Sequence, residues 1–288
     1  MKTNPRILVA GSTGYLGKHI IEQLLFKKAD FIAFARSKEK LLDIGLDESQ
    51  VLLAQVTNPD EVRGVCDGVD VVISCLGITR QKDGLSYMDV DYQANLNLLE
   101  EAKRAGVKKF IYVSAFNAQK YPQVRLLSAK ERFANILLKS NDIVPCVIRP
   151  NGFFSDITEI YNMAKAGRVY AFGDGNVRLN PIHGEDLANF CLEAIDKTET
   201  ELAVGGPDVL SVNEIALLAF NSLHKPERVT HLPDSLRLLS LNIVKRLPEK
   251  WGGPAEFFLT MLESDAIAPQ HGCHRLKGYF NELSENES

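Results

Sequence analysis

The first residues that could do chemistry are three evenly spaced glycines in Ile7-Leu-Val-Ala-Gly11-Ser12-Thr13-Gly14-Tyr15-Leu16-Gly17. Ile7 to Ala10 is a short apolar, branched run of the kind that forms a buried strand. Leu16, Ile20, Ile21, Leu24 and Leu25 then recur at helical spacing. A glycine-rich turn between a strand and a helix is the context in which backbone amides hold a phosphate. Gly11 suits the tight turn, Gly14 lets the backbone approach a pyrophosphate, and Gly17 lets the helix pack against the strand. The helix start offers unpaired N–H groups and the positive end of its dipole. Ser12, Thr13, Tyr15 and Leu16 complete that cradle.

A second candidate follows the next strand, expected over 31–35. In dinucleotide-binding units an acidic residue about 20 positions beyond the glycines takes the adenosine ribose hydroxyls. Here that place is held by Arg36. A carboxylate would repel a 2′-phosphate, whereas a guanidinium binds one through charge-assisted hydrogen bonds. The expected cofactor is therefore NADP (NADPH) rather than NAD, with Lys38 and Lys40 as helpers. A solvated strand-end arginine is the alternative.

The elements that must position these residues alternate. Strands are expected over 51–56, 69–75, 107–114 and 143–149. A helix starts at Thr57-Asn-Pro59, another runs over 89–105 and is closed by Gly106, and a third covers 126–139. A polar loop is expected over 78–88. Such alternation requires a parallel, doubly wound α/β sheet. Beyond Phe154 it loosens into a helix near 157–166, then Val169-Tyr-Ala-Phe and a Gly173-Asp-Gly175 turn, and a helix through Ile195. Ser211 to Glu214 fits a capping box, and two further helices fall within 228–270 with a break at 248–254. The expected organisation is a Rossmann core at 1–155, a small C-terminal α/β substrate region at 156–280 interleaved with it, and a fraying acidic tail at 281–288.

The glycine spacing, together with Asn95-Leu-Asn-Leu-Leu-Glu-Glu-Ala-Lys-Arg-Ala-Gly-Val-Lys-Lys-Phe-Ile-Tyr-Val-Ser114, resembles the short-chain dehydrogenase/reductase superfamily. The likeness is to its extended and atypical branches, which include NmrA-like and isoflavone reductase-like proteins. The resemblance covers roughly residues 5–220. It implies that Gln55 and Val56 border the adenine, where relatives often carry Asp-Val or Asp-Leu, and that Cys75, Leu76 and Gly77 pass the nicotinamide ribose. It places Ser114 and Lys130 as the catalytic serine and lysine. The tyrosine that should precede the lysine by one helical turn is Leu126, and leucine carries no proton. Tyr121 lies outside the helix. As in isoflavone reductase-like enzymes, Lys130 could handle the proton if a neighbouring cation or desolvation lowers its pKa; ribose binding alone is the alternative. For Ser114 the alternative is a hydroxyl that caps backbone.

His183 and Asp186, three residues apart at a helix start, read as caps or structural hydrogen bonds rather than an acid/base pair. Arg149 and Asn151 follow the sixth strand, either near substrate or as anchors of the fold. The 5 cysteines include no Cys-x-x-Cys pair and read as buried thiols, with no metal site. With 288 residues, 45% hydrophobic and 24% charged, and a net charge of −4, the chain has the make-up of a soluble globular protein with no general attraction to nucleic acid or anionic membrane. The five residues before the first strand leave no room for a signal peptide, so a cytoplasmic monomer or homodimer acting on a small molecule is expected.

The reading that results is an NADP-dependent reductase of a small carbonyl or conjugated substrate. A non-catalytic NADP sensor or assembly factor of NmrA type is the alternative. A nucleotide-sugar epimerase or dehydratase using Tyr121 is a third.

Overall fold

A computed structural model describes residues 4–42, 44–78 and 84–286, with the Lys40 side chain excepted. Contacts divide the chain into two compact units, residues 1–149 with 187–202 and residues 150–186 with 203–288.

The first unit begins with β1 (Ile7–Ala10), α1 (Tyr15–Phe26), β2 (Phe31–Ala35), the short α2 (Glu39–Leu42), β3 (Val51–Leu53), the short α3 (Pro59–Val62) and β4 (Val71–Ser74). A π-helical turn, Met88–Ala94, leads into α4 (Asn95–Arg104), followed by β5 (Lys109–Val113), α5 (Arg125–Leu138) and β6 (Val144–Pro150). The central sheet has seven strands in the order β3-β2-β1-β4-β5-β6-β9, where β9 is Glu201–Val204. The pairs from β3 to β6 are parallel. The β6–β9 bonds, Val147 to Thr200 and Asn151 to Val204, advance together along both strands and so run parallel too. β1, β2, β4 and β5 are buried throughout, as strands covered by helices on both faces must be. Leu8, Val72, Leu98, Phe110, Phe133 and Val147 are central to the core on one side of this sheet.

The chain order reverses between β1 and β4, and in such sheets the crevice outside the strand ends at that reversal is where ligands bind. The loops that leave β1 and β4 are the glycine turn and Cys75-Leu76-Gly77. Cys75 N–H donates to Ala10 C=O at 2.9 Å, fixing the two strand ends side by side.

The second unit contains α6 (Phe154–Lys165), β7 (Val169–Phe172), β8 (Arg178–Leu179), the start of α7 (Gly184–Glu193), β10 (Leu210–Ser211), α8 (Val212–Ser222), β11 (Val229–Leu232), α9 (Asp234–Val244), α10 (Glu249–Met261) and α11 (Leu276–Glu285). β7 pairs with β11 in parallel and β8 with β10 antiparallel. Phe154, Tyr161, Ile215, Phe220, Leu276 and Phe280 form its core. The capping box is present: Glu214 N–H donates to Ser211 Oγ at 3.2 Å, and Ser211 N–H to Glu214 Oε2 at 2.7 Å.

Several boundaries differ from the sequence reading. The helix expected over 89–105 is π-helical as far as Ala94. There the Asn95 side-chain amide donates to the carbonyls of Val90 and Asp91, at 3.2 and 3.1 Å, and takes up groups that an α ladder would use. The strand expected over 51–56 ends at Leu53. Pro254 lies inside α10, so the break falls before Glu249 and not across 248–254. Helix α11 continues to Glu285, over most of the segment expected to fray. Residues 79–83 of the expected polar loop lie outside the described residues.

Candidate functional site

The glycine turn is built as its spacing requires. Gly11 has φ +79°, and a Cβ there would lie 2.9 Å from the Cys75 carbonyl carbon and oxygen. A Cβ on Gly17 would stand 2.2 Å from the Gly11 carbonyl oxygen, closer than any packed atoms allow. Gly14 caps α1 with no side-chain hydrogen bond, and the first turn of the helix carries no acidic residue. The positive helix end is thus left open to an anion.

These loops border a cleft of about 450 Å³ lined by Gly11, Thr13, Gly14, Phe34 to Arg36, Ala54 to Thr57, Cys75 to Ile78, Leu85 and Val90. Gln55, Val56, Cys75, Leu76 and Gly77 are all among them. Arg36 is the charged side chain among the described lining residues. Three expected members of the cradle turn elsewhere. Ser12 is fully buried and its hydroxyl donates to the Phe34 carbonyl at 3.0 Å, tying the turn to β2. Leu16 is buried in the core, and the Tyr15 ring meets His19 edge-on at 5.1 Å. Lys38 pairs with Glu48 at 3.0 Å. Lys40's side chain lies outside the described residues.

Lys130 stands behind the cleft wall. Its Nζ lies 2.9 Å from Asp91 Oδ1, with the two side chains 14% and 0% exposed. A Cβ on Gly77 would come within 2.7 Å of that carboxylate oxygen and 2.9 Å of the ammonium, so the cleft-lining glycine presses directly on the ion pair. Asp91 Oδ2 accepts from Ile78 N–H at 3.2 Å. Asn95 accepts from Ser74 Oγ at 2.5 Å and donates to Leu76 C=O at 3.3 Å. The π-helical turn therefore holds the loop after β4 from behind. Burial works against charge on Lys130, but the Asp91 carboxylate and the Tyr112 hydroxyl outweigh it and raise its pKa above the ordinary lysine range. The condition set for Lys130 to handle a proton, a pKa lowered by a neighbouring cation or by desolvation, is not met: its neighbour is an anion, which favours the ammonium. The Tyr112 ring centroid is 5.7 Å from Nζ. Burial raises the pKa of its hydroxyl despite that cation, so it stays protonated.

Ser114 is not among the residues that line the cleft. Its hydroxyl donates to Glu131 Oε1 at 3.2 Å, and Glu131 pairs with Arg149, which also donates to Glu201 Oε2 at 2.8 Å. Arg149 is thus an anchor of the sheet edge. Asn151 is likewise held, donating to Asn180 Oδ1 at 2.6 Å. Leu126 is buried, and Tyr121 does not line the cleft.

Sequence reasoning missed Asp91 and Asn95. Asp89 and Asp91 look alike in the sequence. In the structure Asp89 accepts from the N–H and hydroxyl of Ser86 at the surface, while Asp91 faces Lys130.

In the second unit, His183 and Asp186 do not pair with each other. His183 Nδ1 accepts from Glu185 N–H at 3.3 Å, and Asp186 bonds the 273–274 backbone and His274. The cysteine reading is corrected in part: Cys66, Cys146 and Cys191 are buried, but Cys273 is exposed.

A family profile described as NAD(P)H-binding matches residues 11–198. The divinyl chlorophyllide a 8-vinyl-reductase of Arabidopsis thaliana, a chloroplastic protein, is 30% identical over 223 residues, 70% of this chain and 53% of that protein. The photosystem II assembly factor Ycf39 of Synechocystis is 25% identical over 192 residues, 66% of this chain and 58% of that protein. The chain thus matches little more than half the length of either relative. An NADPH-dependent quinone oxidoreductase of Escherichia coli, solved with NADPH, has the same fold, with a TM-score of 0.71 at 17% identity over 96% of this chain and 99% of that one. No helix among the described residues is long and apolar enough to cross a membrane.

Proposed function

The chain belongs to the NAD(P)H-binding family, and from that premise we propose that it is an NADP-dependent oxidoreductase reducing a small carbonyl or conjugated substrate. The observation that carries the reading is the cleft at the sheet reversal, with Arg36 where NAD-dependent proteins keep a carboxylate. In this reading the Gly11–Gly14 backbone and the open start of α1 hold the pyrophosphate, and Arg36 takes the 2′-phosphate. Gln55 and Val56 border the adenine. Cys75, Leu76 and Gly77 border the nicotinamide ribose. The bound cofactor supplies hydride. Lys130, held as an ammonium by Asp91, is a positioning residue that sets the Gly77 loop, and the proton that completes the reduction comes from solvent. The relative named an 8-vinyl-reductase supports reductase chemistry on a conjugated group.

A second reading, a non-catalytic NADP-binding assembly factor, is favoured by one specific set of observations. Leu126 carries no proton, Ser114 is committed to Glu131, and Lys130 is held charged. The relatives named assembly factors support it. No observation favours the nucleotide-sugar reading.

The test is NADPH oxidation by the purified protein with quinones, enones, aldehydes and vinyl-substituted aromatics in turn. Turnover with one class and not the others supports the reductase. NADPH binding without turnover on any of them moves the assignment to the assembly factor.

A further inference from the structure

Asp186, Cys273 and His274 place three different metal-ligand atoms around one point in the second unit. Asp186 is 87 and 88 residues from the other two. The loop before α11 brings them together: Asp186 Oδ2 accepts from the N–H groups of Cys273 and His274 at 3.1 and 2.9 Å. Gly272 makes the approach possible. It has φ +86°, and a Cβ there would lie 2.2 Å from the Asp186 carboxylate. The remaining atoms converge. Cys273 Sγ is 3.9 Å from Asp186 Oδ1 and 3.9 Å from His274 Nδ1, which are themselves 2.8 Å apart. The circle through a triangle with these sides has a radius of about 2.1 Å. Zinc meets nitrogen and oxygen at about 2.0–2.2 Å and thiolate sulfur at about 2.3 Å.

The surroundings suit such an ion. Asp186 is buried, which fixes its carboxylate, whereas Cys273 is exposed and reachable from solvent. The other ring nitrogen of His274 lies 3.5 Å from Glu185 Oε2. That carboxylate can hold the Nε2 proton, leaving Nδ1 free to coordinate, as the partners of metal-bound histidines commonly do. The His183 ring stacks on His274 at 4.3 Å and restrains its rotation.

We propose that Asp186 Oδ1, Cys273 Sγ and His274 Nδ1 form a three-ligand site for a thiophilic divalent cation of the zinc type, with the fourth position open to water. On binding, the Cys273 thiol proton is released to solvent. The site pins the loop before α11 to the start of α7.

The test is a titration of the full chain, first stripped with chelator, with Co2+ and with Zn2+. One equivalent of Co2+ is expected to produce a thiolate-to-cobalt charge-transfer absorption. Zn2+ is expected to displace it and to raise the thermal midpoint. Cys273→Ser, at an exposed position and leaving the backbone hydrogen bonds of 273 and 274 to Asp186 in place, should abolish the absorption and weaken Zn2+ binding at least tenfold. His183→Gln should leave the absorption in place. The proposal is overturned if Co2+ gives no thiolate absorption, or if the absorption survives in Cys273→Ser. It is equally overturned if binding lacks thiolate character and is lost in His183→Gln, which would put the cation on His183, Glu185 and His274.

Discussion

The Lys130 ammonium and the Asp91 carboxylate form an ion pair at 2.9 Å directly behind Gly77, at the wall of the cleft. The pair joins α5 to the π-helical turn and backs the loop that follows β4. With the Asp91 carboxylate beside it the Lys130 ammonium is held charged, and the pair holds a shape.

Removing the anion should show this. Asp91→Asn leaves a buried cation without its counter-charge and is expected to cost about 3–5 kcal/mol of stability. The pH dependence follows from signs. Lys130's folded pKa is raised above its unfolded value, so the wild-type contribution is complete below the ordinary lysine pKa and fades only as pH rises through the higher folded value. In Asp91→Asn, burial alone would lower that pKa, so the variant should gain stability relative to wild type as pH rises. Urea midpoints at neutral and alkaline pH measure the gap. A gap that is constant with pH would rule out the ion pair as its cause.

Gly17→Ala tests the turn. The added methyl would collide with the Gly11 carbonyl oxygen at 2.2 Å and the Ser12 Cα at 2.7 Å, both backbone atoms that cannot swing aside as a side chain can. Nucleotide affinity should fall at least tenfold, about 1.4 kcal/mol, with a lower thermal midpoint. Calorimetric titration showing unchanged affinity would contradict the close packing described.

Ser114→Ala separates structure from chemistry. Its hydroxyl is committed to Glu131, so the variant should lose about 1.5–3 kcal/mol, as for a hydrogen bond to a charged group. Any reductase turnover should change less than threefold at temperatures where the variant is folded. A loss of turnover with stability intact would return Ser114 to the substrate.

The cysteines should differ sharply in reactivity. Burial pushes the Cys66 thiol up to about 12 and the Cys146 thiol to about 11, whereas Cys273 is exposed. Alkylation of the chelator-treated native protein at mildly alkaline pH, followed by peptide mapping, should mark Cys273 first. Earlier labelling of Cys66 or Cys146 would contradict their burial.

The glycine turn and the alternating strands were legible because each is local: a spacing of three and a run of branched residues fix the turn and the buried strands. The place of Arg36 in the cleft lining was legible for the same reason, as a count from the glycines. Asp91 was not. Its partner is a lysine thirty-nine positions later, a pairing that no local spacing announces. For Lys130 the sequence left proton handling and ribose binding open, since the sign of a pKa shift depends on the neighbour and not on the residue. The second unit was the least legible. There Asp186 meets Cys273 and His274 across 87 residues, and Gly272 is needed only because a carboxylate sits against it.

The most direct measurement is a side-by-side titration of the full chain with NADPH, NADP+, NADH and NAD+, repeated on Arg36→Glu. NADPH should bind at least tenfold more tightly than NADH, and the substitution should remove that preference while leaving NADH affinity within a few fold. Equal affinity for NADPH and NADH in the wild type would contradict the role given to Arg36. Failure of all four nucleotides to bind would contradict the reading of the cleft itself.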